Sequence, residues 1–180
     1  MNRSAHLALM ADYNQWMNAK LYAAAATLPA EELGADRKAY FGSILGTLNH
    51  LVAGDIHWLK RFSFHPAQYA ALLPLRALPT PGSLSQALFS DFHSLAQHRQ
   101  WLDGVIVDWV GTIVESDLDH VLVYGNSKGI VSDKNFFALL THFFNHQTHH
   151  RGQVSTLLSQ AGVVVDDTDL LLLIPNLGAA

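Results

Sequence analysis

Histidine is the residue type in this chain whose spacing points to chemistry. The segment from His142 to Gln153 reads HFFNHQTHHRGQ and holds four of the eleven histidines. In a helix, residues four apart lie one turn apart on the same face, so His146 and His150 would present two imidazoles side by side. Neutral imidazole is the commonest protein ligand for metal ions. The spacing therefore predicts part of a metal site.

The apolar residues of this helix indicate which histidines face inward. Taking His142 as 0°, the large apolar residues share a stripe at about 60–120°: Phe136, Leu139, Phe143, Val154 and Leu157. His150 falls at about 80° and His146 at about 40°, so both lie toward this stripe. His142 and His149, at about 0° and −20°, lie on its flank. We predict His146 and His150 as the ligands, with His149 either beside the site or exposed.

A third imidazole is available on another predicted helix. Around His50, that helix has a face of small residues: Ser43, Gly46, Thr47, Ala53 and Gly54. A glycine inside a helix costs up to about 1 kcal/mol relative to alanine, so we expect these glycines to allow close backbone approach or to leave space around imidazoles. His50 then completes a three-histidine site with His146 and His150. Such a site keeps a coordination position open, as catalytic zinc sites do, but nickel also suits imidazole.

Two further residues near His50 receive other interpretations. His57 shares the small face, and we predict it to be outside the metal site. Asp55 falls at about 140° from His50, on the large apolar side, where an unpaired charge is costly. We predict that Asp55 pairs with a buried polar group such as Arg151 or Arg61 and is structural.

Composition limits the possible partners. The chain has 180 residues, 49% of them hydrophobic, and a formal charge of −4, so we predict a single domain over 1–180. It has no cysteine, which excludes disulfides, thiolate metal sites and a cysteine nucleophile. The basic residues are scattered and no apolar run approaches about 18 residues, so we expect no nucleic acid and no membrane as partner. The prediction is a soluble, cytoplasmic protein that acts on a small molecule.

Helical periodicity predicts four long helices, at about 4–28, 41–62, 83–110 and 132–161. Ser83 and Gln86 resemble a capping box for the third helix. Ser132 or Asp133 is predicted to cap the fourth, with Gly162 just after its end. The run HVLVYGNSKGIV predicts a short β-ribbon before the fourth helix. The predicted fold class is all-α, a four-helix bundle with two longer connections, at 29–40 and 63–82. The apolar tail is expected to pack against the bundle or a second subunit.

Four segments resemble a known family. TLNHLVAGDIHWLKRF and THFFNHQTHHRGQ are similar to the two signature segments of the DinB-like superfamily of metal-binding four-helix bundles, and YNQWMNAKLY and DHVLVYGNSKGIV extend the resemblance over nearly the whole chain. Carried over by position, the family's metal ligands fall on His50, His146 and His150. Tyr124 and Asn126 match polar positions that would line the pocket mouth, although turn chemistry explains Asn126 almost as well.

The resemblance also implies a function. Characterised relatives include transferases and a maleylpyruvate isomerase that use low-molecular-weight thiols such as mycothiol or bacillithiol. We therefore expect a divalent metal ion, zinc or nickel, and a metal-dependent thiol S-transferase or hydrolase, with water, His149 or Tyr124 as the available bases. The alternative is a non-catalytic, stress-related module in which the metal ion staples the bundle. In either case the expected assembly is a homodimer, and the family's name implies nothing about DNA binding.

Overall fold

The computed structural model describes residues 1–125, 129–176 and 178. Its long helices are α1 (Arg3–Ala25), α3 (Ile44–Phe62), α4 (Phe92–Val110) and α5 (Phe136–Gln160), and a short helix α2 spans Ala30–Gly34. Strands β1 (Val121–Gly125) and β2 (Val131–Asn135) form an antiparallel ribbon directly before α5. The predicted all-α bundle with a ribbon before its last long helix is confirmed.

The four long helices pack in a ring. Both α1 and α3 contact α4 and α5, so α1 lies diagonally opposite α3. The interior is filled by fully buried side chains from all four helices, among them Leu21, Leu48, Phe62, Trp109 and Leu140. Helix α3 therefore has α5 as a direct neighbour, which is the pairing that a site shared between these two helices requires.

The prediction that the third helix begins at Ser83 is wrong. Helix α4 begins at Phe92, and its cap is Asp91, whose carboxylate accepts a hydrogen bond from the Ser94 backbone N–H at 2.8 Å. The Gln86 side chain instead accepts from the Gly82 backbone N–H at 2.6 Å. A capping pair of this kind is a local signal, and here it belongs to a turn that ends several residues before the helix begins.

The predicted cap of the last helix is also wrong. Ser132 and Asp133 belong to β2, where they pair with Tyr124 and Val123. The helix begins three to four residues later, and the Asn135 side chain accepts from the Ala138 backbone N–H at 3.0 Å. Pairing with β1 therefore holds this segment extended and delays the helix. Gly162, with φ of 81°, lies just after the end of α5, as predicted.

The connections contain more local structure than the sequence pattern indicates. The segment 29–40 includes α2, and the segment 63–82 includes a 3₁₀ helix at Ala70–Ala77 whose Leu72 and Leu75 are fully buried. In the tail, the Thr168 carbonyl accepts from the Tyr13 hydroxyl on α1 at 2.7 Å, so this part packs against the bundle. None of the helices in the described ranges is long and apolar enough to cross a membrane.

Candidate metal centre

The structure brings His50, His146 and His150 together between α3 and α5. The Nε2 atom of His50 lies 3.2 Å from Nε2 of His146 and 3.1 Å from Nε2 of His150. One nitrogen from each of the three rings lies within 4.8 Å of the others. The two histidines of α5 are four residues apart, so the helix itself places them one turn apart on the face toward α3.

Hydrogen bonds on the far side of two of these rings fix which nitrogen carries hydrogen. The Nδ1 atom of His50 lies 2.8 Å from the Leu84 carbonyl oxygen, and Nδ1 of His150 lies 2.7 Å from Oε1 of Gln153. A carbonyl oxygen can only accept, so each Nδ1 carries the hydrogen in the neutral ring and each Nε2 has a free lone pair. This is the arrangement that outer partners impose on metal-binding histidines.

The donor set fits a divalent metal ion. The lone pairs on Nε2 of His50 and His150 face each other at 3.1 Å, and they repel unless a cation lies between them. Tetrahedral ligands at 2.0–2.1 Å from zinc lie about 3.3–3.4 Å apart, close to the observed separations. Within the described part of the chain the group has three members, with no fourth histidine and no carboxylate among them. A metal ion held here would keep at least one position for an outside ligand.

The surroundings keep the three imidazoles neutral. His50 is 3% exposed, and burial lowers the pKa of all three rings. The effect is largest at His146, where burial and the neighbouring His150 and His50 lower the pKa to about 3. Phe41 stacks on His50, with ring centroids 3.8 Å apart and planes 16° apart. Metal binding at neutral pH therefore has no proton to displace from these rings.

Two glycines of α3 provide the room that the sequence predicted. A Cβ added at Gly54 would lie 3.1 Å from Cε1 of His146, so this glycine leaves space for the imidazole of the opposite helix. A Cβ at Gly46 would lie 2.1 Å from the Phe41 carbonyl oxygen. This second glycine lets the chain before α3 approach closely, which positions Phe41 over His50.

The predicted partners of Asp55 are wrong, although its burial and pairing are confirmed. Its carboxylate accepts from Nη1 of Arg99 at 2.5 Å and from the Gln147 side-chain amide. Arg151, one of the predicted partners, donates to Asn14 instead. Burial raises the pKa of Asp55, while the neighbouring Arg99 and Gln147 oppose that rise. Asp55 thus ties α3 to α4 and to the ligand-bearing helix α5.

This ion pair is part of a buried polar network that sequence reasoning missed. Arg99 also lies 3.0 Å from a carboxylate oxygen of Asp103, and that oxygen accepts from the side-chain amides of Asn14 at 3.2 Å and Asn18 at 2.8 Å. Burial raises the pKa of Asp103 to about 6. Asn14 and Asn18 recur at a four-residue spacing on the buried face of α1, and that pattern was the available signal.

The other histidines of interest lie outside the three-histidine group. The ring of His142 is 6.0 Å from that of His146 and 5.1 Å from Trp58. His149 is exposed, and its ring centroid is 4.8 Å from that of His150. His57 is partly buried, and burial lowers its pKa.

Near His142 the structure assembles a cluster that the sequence did not identify. Trp58 contacts His142 and also Tyr124, whose ring centroid is 5.5 Å away. The guanidinium carbon of Arg61 lies 4.7 Å from the Trp58 ring and 5.0 Å from the Tyr124 ring. Tyr124 is therefore linked to His142 through Trp58, and its role at a pocket mouth stays a prediction. Asn126 lies outside the described residues.

A four-helix bundle that joins three imidazoles from two neighbouring helices defines a class of bundle protein with a histidine-rich centre. The comparison with family profiles gives a specific assignment: the DinB family matches residues 1–176, and the chain belongs to that family. Among curated proteins, Protein DinB of Bacillus subtilis (strain 168) is 25% identical over 158 residues, which cover 88% of this chain and 87% of the relative. No solved structure matches the chain.

Proposed function

We propose that this protein is a divalent-metal-dependent enzyme that acts with a low-molecular-weight thiol, as an S-transferase or, with water in place of the thiol, as a hydrolase. His50, His146 and His150 hold the metal ion. The observation that carries the proposal is the 3.1 Å separation of Nε2 of His50 from Nε2 of His150, in a group that holds no fourth histidine and no carboxylate among the described residues. That combination supports an ion with an exchangeable position.

The metal ion and the side chains would have different roles in this chemistry. A divalent ion at this site lowers the pKa of a thiol or water that occupies its open position, so that a nucleophile exists at neutral pH. His50 and His150 stay oriented through the Leu84 carbonyl and Gln153. We assign the role of base to the exposed His149, whose ring centroid lies 4.8 Å from that of His150; it would accept the proton that the thiol releases.

Zinc and nickel are both compatible with three imidazole nitrogens. We propose zinc first, because three protein nitrogens and one open position form a common catalytic zinc site. Elemental analysis of the purified protein distinguishes the two metals directly.

Thiol binding tests the proposal without requiring the electrophile to be known. Protein loaded with cobalt(II) is titrated with cysteamine, and we expect a sulfur-to-cobalt charge-transfer absorption that is lost in His50→Ala. A second assay measures turnover of an electrophile panel with glutathione, bacillithiol or mycothiol. Absence of both the absorption band and any thiol-dependent turnover would contradict the transferase proposal.

A second candidate function is a metal staple without catalysis. It is supported by the origin of the ligands, since His50 belongs to α3 and His146 and His150 to α5, so that one ion would cross-link two helices. Metal removal would then lower the melting temperature, and no added thiol would reach the ion. The cobalt titration separates the two functions, because only the enzyme proposal predicts that absorption band.

The proposed partners are a small molecule and a second copy of the chain, and not nucleic acid. The formal charge of −4 supports the exclusion of nucleic acid, because binding to phosphates requires a basic surface. The homodimer is supported by apolar side chains of the tail that are 71% exposed at Leu171, 58% at Leu172 and 47% at Ile174. Light scattering after size exclusion measures the mass, and a monomer would contradict the dimer.

A further inference from the structure

Arg61 is a half-buried cation without an anionic partner in the described structure. Its guanidinium lies over the rings of Trp58 and Tyr124, at 4.7 and 5.0 Å. Among the described residues, no carboxylate forms an ion pair with it. In contrast, Arg3, Arg37 and Arg99 each form an ion pair with a carboxylate. Burial lowers the pKa of Arg61. Two aromatic rings therefore orient a guanidinium whose N–H donors are available to an outside anion.

The position of Arg61 relates it to the three-histidine group. It follows His50 by eleven positions, which is about three helical turns, so the two residues share one face of α3. Gly54, which faces His146, precedes Arg61 by about two turns, or roughly 10 Å along the helix. His50, Gly54 and Arg61 thus lie along one face of α3, and His146 of α5 lies against this face at Gly54.

The rings of His142 and Trp58 lie between His146 and Arg61. The His142 ring lies 6.0 Å from His146 on one side and 5.1 Å from Trp58 on the other, and Trp58 in turn lies beneath Arg61. His142 is exposed, and Trp58 and Arg61 are partly exposed. A molecule that extends from the histidines toward Arg61 would pass over these rings.

We propose that Arg61, held over Trp58 and Tyr124, is a carboxylate-binding subsite of the metal centre. Its ligand is a small organic acid that extends from the metal ion toward the guanidinium, along the two to three turns of α3, roughly 10–16 Å, that separate Arg61 from Gly54 and His50. A thiol the size of a tripeptide is about 10 Å long from end to end, because an extended chain spans about 3.3–3.6 Å per residue. Arginine suits this role because its planar fork matches a carboxylate. The inference rests on the proposed function, since it places the substrate at the metal ion.

The test compares two probes that differ only in their carboxylates. S-methylglutathione and its diethyl ester lack a free thiol, so their binding reports on the subsite and not on sulfur ligation. Calorimetric titration of the full chain is expected to show the acid binding about tenfold more tightly than the ester, the effect of one charged hydrogen-bonded contact. In Arg61→Met this difference disappears, and Arg61→Lys retains part of it because lysine keeps the charge without the fork.

Lys20→Met is the matched control. The Lys20 ammonium lies 4.5 Å from the Trp16 ring on α1, the helix diagonal to α3, so the variant removes the same charge from a similar contact and should keep the preference for the acid. The proposal is overturned if Arg61→Met, with an unchanged circular dichroism spectrum, binds the acid as the natural protein does. It is equally overturned if the natural protein does not distinguish acid from ester, including by binding neither.

The thiol chemistry at the metal ion and the carboxylate subsite at Arg61 can be tested separately. Cysteamine has no carboxylate, so its absorption band in the cobalt(II) protein should be the same in Arg61→Met as in the natural protein. A missing band in the natural protein contradicts the proposed thiol chemistry, while the comparison of acid and ester still decides the role of Arg61.

Discussion

The Nε2 atoms of His50 and His150 lie 3.1 Å apart, although neither carries the hydrogen that a bond between them would need. Each ring donates its Nδ1 hydrogen to an oxygen, the Leu84 carbonyl for His50 and the Gln153 side chain for His150. The two lone pairs are thus directed at one another by partners outside the group. A cation between them turns this repulsion into coordination, and the following predictions depend on that relationship.

Removing the outer partner of His150 should weaken metal binding without removing a ligand. In Gln153→Ala the ring loses the acceptor that lies 2.7 Å from Nδ1, so its orientation and tautomer are no longer fixed. We expect the metal affinity, measured by competition with a chelator of known strength, to fall by roughly 10–100-fold. Gln160→Ala, at the last position of the same helix, is the control. Equal affinities in the two variants would argue against the role of Gln153.

Filling the space at Gly54 should disturb His146. An added methyl group would lie 3.1 Å from Cε1 of that ring, so Gly54→Ala should lower the metal affinity severalfold even though alanine favours a helix by up to about 1 kcal/mol. Gly152→Ala is the matched change on α5, where nothing lies within 4 Å of the added Cβ. It should leave metal affinity unchanged. If both variants bind metal as the natural protein does, Gly54 does not provide room for His146.

Asp55 should contribute to stability and not directly to metal binding. Among the described residues, Asp55→Ala leaves the buried Arg99 with Asp103 alone as a counter-ion, and we expect the free energy of unfolding in urea to fall by about 3 kcal/mol. The exposed Asp36, which pairs with Lys38, provides the control, and Asp36→Ala should cause no measurable change. A variant at Asp55 as stable as the natural protein would contradict the proposed role of the network.

Acid should destabilise the metal-free protein through the partly buried His146. Burial and neighbouring imidazoles lower the pKa of His146 to about 3, whereas an unfolded chain has a histidine pKa of about 6.5. Between these values the unfolded state binds more protons, so stability falls as pH falls from about 6.5 toward 3. His146→Gln should reduce this slope in urea titrations of metal-free protein, and His149→Gln, at an exposed position, should not. The same slope in all three proteins would contradict the prediction.

Local sequence patterns predicted the centre better than they predicted its support. The i, i+4 spacing and the helical phase select His146 and His150, and the face of small residues on α3 selects His50. Each of these patterns lies within one helix, so it can be recognised without knowing how the helices pack. The partner of Asp55 depends on how α4 is rotated against α3, which no local pattern records, so Arg99 was not anticipated. The contact of Arg61 with Tyr124 was not anticipated for the same reason, because Arg61 lies on α3 and Tyr124 on β1.

The starting points of two helices were also mispredicted, because contacts outside the local pattern determine them. Ser132 and Asp133 are good helix caps in isolation, yet pairing across the ribbon with Tyr124 and Val123 holds them in a strand. Ser83 and Gln86 have the spacing of a capping box, but the helix begins only at Phe92, after the cap Asp91. In both places a non-local contact or a competing turn decides where the helix begins.

The most direct test of the central claim is the metal content of the protein. Untagged protein, purified without added metal or chelator, is analysed by elemental mass spectrometry beside His50→Ala, His150→Ala and the non-ligand control His142→Ala. We predict about one zinc or nickel ion per chain in the natural protein and in the control, and its loss from the other two variants. A natural protein without stoichiometric metal, or retention of the metal in both ligand variants, would contradict the three-histidine metal site.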